Sequence, residues 1–168
     1  MTILFVPRPR HTRRVPDDIE YRWRFPISDD EVCALTRSHG GNAESGWWDR
    51  IRPHSFGWAT AHLSDGTTVG FVNVAWDGGD HAFLLDTKTR PDLQRRGIAT
   101  NLVRRAAHHA KLAGCEWLHV DFDDAARLAA FYFDACGFRP KTAGLIHLPD
   151  LPAERAIPGE PGNADDSM

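Results

Sequence analysis

The chain has 168 residues, of which 42% are apolar and 26% are charged, and its formal net charge at pH 7 is −3. This composition is typical of one soluble globular domain and excludes a fibrous or wholly disordered chain. The charge is concentrated at the two ends, +2 over residues 1–18 and −4 over residues 150–168, so the middle of the chain lacks the positive field that recruits nucleic acid.

The two ends also differ from the middle in residue type. Proline and charged residues are frequent in both, which predicts a flexible basic tail over residues 1–18 and a disordered acidic tail over residues 150–168. We expect a single domain over residues 19–149. No apolar run reaches the roughly 18 residues of a membrane helix, and the three cysteines form no C-x-x-C pair. The pattern therefore predicts a cytoplasmic protein with no membrane span and no metal site.

The first part of the domain alternates in type. A short strand is predicted over residues 21–26. Ser28, followed three residues later by Glu31, is typical of a capping box and predicts a helix near 29–38. Residues 42–56 are predicted to form a loop or a short helix.

Three antiparallel strands are predicted next. Residues 57–63 and 68–76 flank an Asp-Gly turn, which supplies the positive φ that a tight hairpin needs. A second turn at 77–80 reverses the chain into a strand over 81–89. These strands form a meander.

The last part of the domain returns to alternation. Apolar residues at helical spacing predict an amphipathic helix over 98–113, followed by a strand over 116–122 and a helix over 125–136. A final strand is predicted over 138–148. Its exposed edge could pair with another copy of the chain, which would give a homodimer. The fold class is α/β (α+β), with a mixed, mostly antiparallel twisted sheet flanked by helices.

The junction between the strand over 81–89 and the following helix has the most specific chemical signal. It reads Gln94-Arg95-Arg96-Gly97-Ile98-Ala99. The first turn of a helix leaves backbone N–H groups unpaired and has a partial positive charge, and small residues at 97 and 99 let an anion approach it. The junction predicts a diphosphate site. The sequence has neither a Walker loop nor a G-x-G-x-x-G fingerprint, which disfavours nucleotide hydrolysis and hydride transfer.

Two motifs together resemble the GCN5-related N-acetyltransferase (GNAT) family. They are Gln94-x-x-Gly97-x-Ala99 after a strand and the run AFYFDACGF at residues 130–138, and the resemblance spans about residues 20–148. It implies acetyl-CoA as co-substrate and a GNAT-like sheet. The residues implied to bind acetyl-CoA are Gln94, Arg95, Arg96, Gly97, Ile98, Ala99 and Thr100 at the diphosphate. The backbone groups of Thr87, Lys88 and Thr89 are implied to pair with the pantetheine arm.

Acetyl transfer to an amine needs a proton acceptor, because an amine with a pKa near 10.4 is almost wholly protonated at pH 7. The candidate bases are Asp86 and, on the neighbouring strand, Asp121 or Asp123, and the alternative for each is a solvated or salt-bridged surface acid. Family members often use a tyrosine four residues before the Gly of the Gly-Phe pair to protonate the leaving thiolate. That position is Phe133 here. Tyr132, one residue earlier, is a candidate acid only if the helix contains a bulge.

The acceptor is predicted from the tryptophans and acids in the segments that line the acceptor side in the family. Acids attract an ammonium, and an indole face suits a cation or a sugar ring; the alternative for each tryptophan is a place in the core. The candidate substrate-binding residues are Trp23, Glu44, Trp47, Trp48, Asp77 and Asp123. The stretch resembles antibiotic-inactivating members, which implies an aminoglycoside acceptor such as kasugamycin, acetylated at its 2′-amine.

Two other functions remain open. A protein acetyltransferase acting on a lysine or an N-terminal amine would use the same acetyl-CoA site. A non-catalytic sensor of acyl-CoA would bind the thioester without turnover, and the displaced tyrosine favours it. Release of free thiol with aminoglycosides, polyamines or peptides separates the three functions.

Overall fold

Five strands form one sheet in a computed structural model that describes residues 18–150. The strands are β1 (Glu20–Trp23), β2 (Gly57–His62), β3 (Thr68–Trp76), β4 (His81–Thr89) and β5 (Trp117–Val120). They lie in the order β1-β2-β3-β4-β5. The first three pairings are antiparallel and the β4–β5 pairing is parallel. The predicted mixed, mostly antiparallel sheet is confirmed.

Three helices lie in connections between strands, and a fourth follows β5. They are α1 (Asp29–Ser38), α2 (Trp47–Ile51), α3 (Ile98–Leu112) and α4 (Ala126–Ala129), with a π-helical turn over Ala130–Ala135 directly after α4. The capping box at the start of α1 is present, since the Ser28 hydroxyl accepts from Glu31 N and the Glu31 carboxylate accepts from Ser28 N. Helix α3 is the crossover between the parallel strands, as predicted.

Helix α3 covers one face of the sheet. Ile98 and Leu102 pack with Val72 and Val74 of β3 in the larger apolar core. The approach is close at Gly70, where an added Cβ would lie 2.8 Å from Leu102 Cδ1, so a larger residue there would force Leu102 to shift. We call this the α3 face. Packing on the α3 face holds the first turn of α3 near the end of β4.

Helices α1 and α2 cover part of the opposite face, which we call the α2 face. Phe71 of β3 is fully buried there against Trp48 and Val32. Phe83 and Leu85 of β4, further along the same face, are about two-fifths exposed. The α2 face therefore combines a buried core with an open stretch along β4.

Two predicted elements differ from the structure. The helix over 125–136 begins as α4 but continues as the π-helical turn. Residues 139–147 form no strand, so the predicted strand over 138–148 is wrong. Pro140 cannot donate a ladder hydrogen bond, and Leu145 is 96% exposed, so it buries no side chain that would hold such a strand.

The contacts of the chain define a compact unit that ends at Phe138 and a separate segment that begins at Arg139. The predicted tails over 1–18 and 150–168 lie, apart from Asp18 and Asp150, outside the described residues. Within residues 18–150, no helix is long and apolar enough to cross a membrane.

Candidate active site

Strands β4 and β5 separate partway along their length. Their pairing runs from His81 with Trp117 to Leu84 with Val120 and then stops. Strand β4 continues to Thr89, and within the described part of the chain no strand pairs with residues 85–89 on the β5 side. An open strand edge offers N–H and C=O groups to an extended ligand. This opening fits the amide-rich pantetheine arm that the resemblance implies.

A β-bulge lies where the opening begins. The register between β3 and β4 shifts between Phe71 and Asn73, and Asp86 has a φ of 56°. Bulges redirect side chains and are frequent next to active sites. The shift leaves Lys88 opposite Phe71 on the α2 face.

The predicted diphosphate loop follows β4 and leads into the first turn of α3. Gly97 is the N-cap of α3 with a φ of 80°, and no side chain caps the helix there. Arg95 also has a left-handed φ, of 62°. The space around the Gly97 Cα is open, since an added Cβ would meet nothing within 4 Å. Uncapped amides at an open helix N-terminus, with the adjacent Arg95 exposed, fit a diphosphate.

The loop is held against two neighbouring elements by Gln94. Its amide nitrogen lies 3.4 Å from the Thr89 carbonyl oxygen and 3.2 Å from His39 Nε2. These contacts tie the loop to the end of β4 and to the end of α1. The role of His39 had no signal in the sequence.

Two hydroxyls of β4 are buried beside the opening. Thr89 Oγ1 finds no hydrogen-bond partner among residues 18–150, whereas the Thr87 hydroxyl lies beside the hydroxyl of Tyr132. A buried hydroxyl without a partner costs free energy. Both residues belong to the strand segment predicted to bind the pantetheine arm, so the donor set fits a polar ligand there.

Tyr132 lies in the π-helical turn, and its hydroxyl is close to the hydroxyl of Thr87. The turn has an i→i+5 hydrogen bond from Cys136 N to the Phe131 oxygen, at 3.0 Å. Tyr132 precedes Gly137 by five residues, one more than the spacing that the resemblance implies. The π-helical turn contains one extra residue, which offsets this difference, so the tyrosine faces the sheet. Its ring stacks on Phe122 at 4.8 Å.

Burial raises the pKa of Tyr132 above its usual value, and the neighbouring Thr87 hydroxyl opposes this effect only in part. The side chain is 7% exposed. The phenol therefore stays protonated at neutral pH and is available as a proton donor.

Asp86, Lys88 and Trp47 come together on the α2 face. Lys88 Nζ lies 3.1 Å from Asp86 Oδ1 and 4.7 Å from the centre of the Trp47 ring. The sequence pointed to Asp86 and Trp47 separately, and to Lys88 only for its backbone. The structure makes one cluster of the three.

Asp121 and Asp123 follow the end of β5 and are exposed. Val120, directly before Asp121, packs in the core on the α3 face. Asp121 therefore directly follows the last paired residue of β5, where the opening begins. Glu44 is exposed before α2.

Three other predicted residues are not brought to this cluster. Trp48 is fully buried in the core between α1, α2 and Phe71. Trp23 stacks on His109 of α3 at 4.3 Å, on the opposite face of the sheet. Asp77 lies in the β3–β4 turn, where it accepts hydrogen bonds from Gly79 N and His81 N, at the far end of β4 from the bulge. Within residues 18–150, no group of three or more metal-ligating side chains is present.

Asp29 links α1 to α2, which carries Trp47. Its carboxylate accepts hydrogen bonds of 2.6 Å from both Gly46 N and Trp48 N. The Gly46 bond is the main cause that lowers the pKa of Asp29. A lowered pKa means that this tether is fully formed at neutral pH and is lost only as the pH falls below the ordinary aspartate value of about 4.

We expect Asp29→Ala to raise the acceptor KM roughly 10-fold, because a charge-assisted tether that positions α2 is lost. The affinity for CoA should not change, since the diphosphate loop is not in contact with Asp29. Steady-state kinetics and calorimetry measure the two effects. Asp30→Ala, at the next position of the same helix, is the matched control, and an equal effect of both substitutions would contradict the role of Asp29.

Comparison with known proteins agrees with the fold. The model of the acetyltransferase (GNAT) family matches residues 19–138. No curated protein matches the sequence significantly. A GNAT family acetyltransferase from Streptococcus pneumoniae TIGR4 is 21% identical, with a TM-score of 0.67, and the match covers 77% of this chain and 97% of that chain.

Two further similar solved structures contain CoA or an analogue derived from it. AAC(6')-Iy in complex with the bisubstrate analogue CoA-S-monomethyl-acetylneamine is 16% identical, with a TM-score of 0.61 and coverage of 78% and 97% of the two chains. YhbS from Escherichia coli in complex with CoA is 19% identical, with a TM-score of 0.60 and coverage of 72% and 68%. These similarities concern the fold.

Proposed function

The chain belongs to the GNAT acetyltransferase family and uses acetyl-CoA as its acetyl donor, and we propose that it transfers the acetyl group to a primary amine of a small acceptor. The observation that supports this best is the position of the uncapped start of α3 beside the opening between β4 and β5. A diphosphate at Gly97 and an extended arm along β4 would direct the thioester toward the bulge at Asp86.

When bound, acetyl-CoA supplies an acetyl group activated as a thioester. The amine nitrogen forms a bond to the carbonyl carbon, the carbon–sulfur bond breaks, and the amine loses a proton. Asp86, on the α2 face, or Asp121 accepts that proton, directly or through a water. Tyr132 donates a proton to the sulfur from the α3 face. With Asp86 as the base, the two faces hold the base and the acid on opposite sides of the opening.

Positioning accounts for much of the rate in this mechanism. A thiolate with a pKa near 8.5 is an adequate leaving group, so proton donation helps without being indispensable. Holding the amine next to the thioester removes the entropy cost of a bimolecular encounter. The rigid β4 edge and the α2 tether serve this purpose.

We further propose that the acceptor is an aminoglycoside, such as kasugamycin, which the chain would inactivate by acetylation. The sequence resemblance supports this class. An exposed acid, Glu44, precedes α2, and the Trp47 ring is partly exposed above β4. The AAC(6')-Iy complex contains an aminoglycoside-derived analogue on a similar fold. An indole face beside carboxylates suits an amino sugar.

Release of free thiol from acetyl-CoA tests the function. The full chain is assayed with kasugamycin, neamine, spermidine and a lysine-containing peptide. The proposal predicts turnover with at least one aminoglycoside, and a product whose mass is increased by one acetyl group. Turnover with the peptide alone would identify a protein acetyltransferase, and CoA binding without any turnover would identify a sensor.

A further inference from the structure

The charges beside the opening are balanced. Lys88 and Asp86 form an ion pair, and only 11% of the lysine side chain and 29% of the aspartate side chain are exposed. A purely polycationic acceptor would meet the ammonium of Lys88 together with the carboxylate of Asp86. The cluster is therefore not built for positive charge alone.

The ion pair leaves hydrogen-bonding capacity unused. An ammonium has three donors, and among residues 18–150 Lys88 Nζ donates one hydrogen bond, to Asp86 Oδ1. Asp86 Oδ2 accepts no hydrogen bond from these residues. Asn73 Oδ1, opposite Leu85 on the neighbouring strand, is buried and has no partner in the same part of the chain. Partly buried charged groups with open hydrogen-bonding positions are suited to a polar ligand.

Aromatic rings fix the position of the lysine. Its Nζ lies 4.7 Å from the centre of the Trp47 ring and 5.9 Å from that of the fully buried Phe71. Such contacts hold an ammonium in place and strengthen its interactions by excluding water. These contacts hold the Lys88 ammonium in place. Lys88 directly follows Thr87, in the strand segment where we expect the thioester.

We propose that the acceptor carries a carboxylate close to the amine that is acetylated. Its carboxylate pairs with Lys88, and its ammonium pairs with Asp86 before it is deprotonated. This inference rests on the proposed acetyl transfer to a small amine. Among aminoglycosides, it selects those with a carboxylate substituent over purely cationic ones.

Matched amines with and without a carboxylate provide the test. The pairs are muramic acid and its methyl ester, and 4-aminobutyrate and its methyl ester, assayed by thiol release with the full chain. In at least one pair, we expect kcat/KM to be at least about 10-fold higher for the carboxylate form, the effect of one charge-assisted hydrogen bond. No such preference in either pair would overturn the inference.

Two variants distinguish recognition from a structural role. Lys88→Met leaves Asp86 without its partner, so the preference should disappear or reverse in favour of the ester. Lys88→Arg keeps the charge and should keep the preference. If Lys88→Met lowers kcat/KM equally for both members of each pair, Lys88 has a structural role only, and the inference is wrong. Circular dichroism and the CoA affinity confirm that each variant is folded.

Failure of the inference is distinguishable from failure of the proposed function. Turnover of neamine or kasugamycin without any carboxylate preference would overturn the inference and leave acetyl transfer standing. Binding of CoA with no turnover of any amine would contradict the proposed function itself.

Discussion

Gly97→Glu should weaken CoA binding by at least about 100-fold in a protein that remains folded. The residue has a φ of 80° at the N-terminus of α3, where no side chain caps the helix. A carboxylate there would repel a diphosphate, by about 4 kcal/mol at 4 Å in a partly screened environment. A side chain in the left-handed region adds roughly 1–2 kcal/mol of strain. Calorimetric titration with CoA measures the loss.

Gly78→Glu is the matched control for this substitution. Gly78 has a φ of 84°, and an added Cβ would also meet nothing within 4 Å. The two variants therefore share the strain and the added charge, and Gly78 lies in the β3–β4 turn, away from the loop. CoA affinity close to wild type is expected for Gly78→Glu. Equal losses in both variants would mean that Gly97 affects stability rather than diphosphate binding.

Tyr132→Phe should lower kcat about 100-fold at neutral pH, the usual contribution of a positioned proton donor. The hydroxyl is buried next to Thr87, and its raised pKa keeps the proton in place over the working range. The ring packing against Phe122 is retained in the variant. The KM for acetyl-CoA should hardly change, because the phenol acts on the leaving sulfur. Steady-state kinetics with a fixed acceptor give both constants.

Tyr21→Phe provides the comparison, since the chain has only two tyrosines. Tyr21 lies on β1, where its hydroxyl accepts a hydrogen bond from Asn101. Kinetics close to wild type are expected for this variant. A Tyr132→Phe enzyme with unchanged kcat would rule out the phenol as the acid and leave solvent to protonate the thiolate.

The sequence was sufficient for the elements whose stability is local. The capping box at Ser28 and Glu31, the Asp-Gly hairpin turn and the apolar stripe of α3 each determine their own conformation, and each was predicted with nearly correct limits. The loop that starts α3 was located for the same reason, because the need for a small residue with positive φ is local.

The sequence alone does not determine whether the predicted helix over 125–136 contains the π-helical turn, because the cause of the turn is tertiary packing. The run AFYFDACGF is compatible with a regular helix, and only the packing of Phe122, Phe131 and Phe138 around Tyr132 favours the extra residue in the turn. A spacing of five between Tyr132 and Gly137, rather than four, was the available signal. It indicated a bulge only together with the resemblance.

The strand over 138–148 and the role of Lys88 show the opposite limitation. The sequence analysis predicts a strand there, but a strand also needs a partner and a buried side, which no local pattern specifies. Lys88 was predicted to contribute its backbone alone, because the β-bulge that turns its side chain toward Trp47 and Asp86 depends on the pairing of β3 with β4.

Parallel calorimetric titrations of the full chain with CoA and with pantetheine, which lacks the diphosphate and the 3′-phosphoadenosine attached to it, test the central claim most directly. Binding of the diphosphate by the amides around Gly97 predicts that CoA binds and that pantetheine binds at least about 100-fold more weakly, since charge-assisted contacts to several amides are lost. Equal affinity for the two ligands, or no heat with CoA from protein shown to be folded, would contradict it.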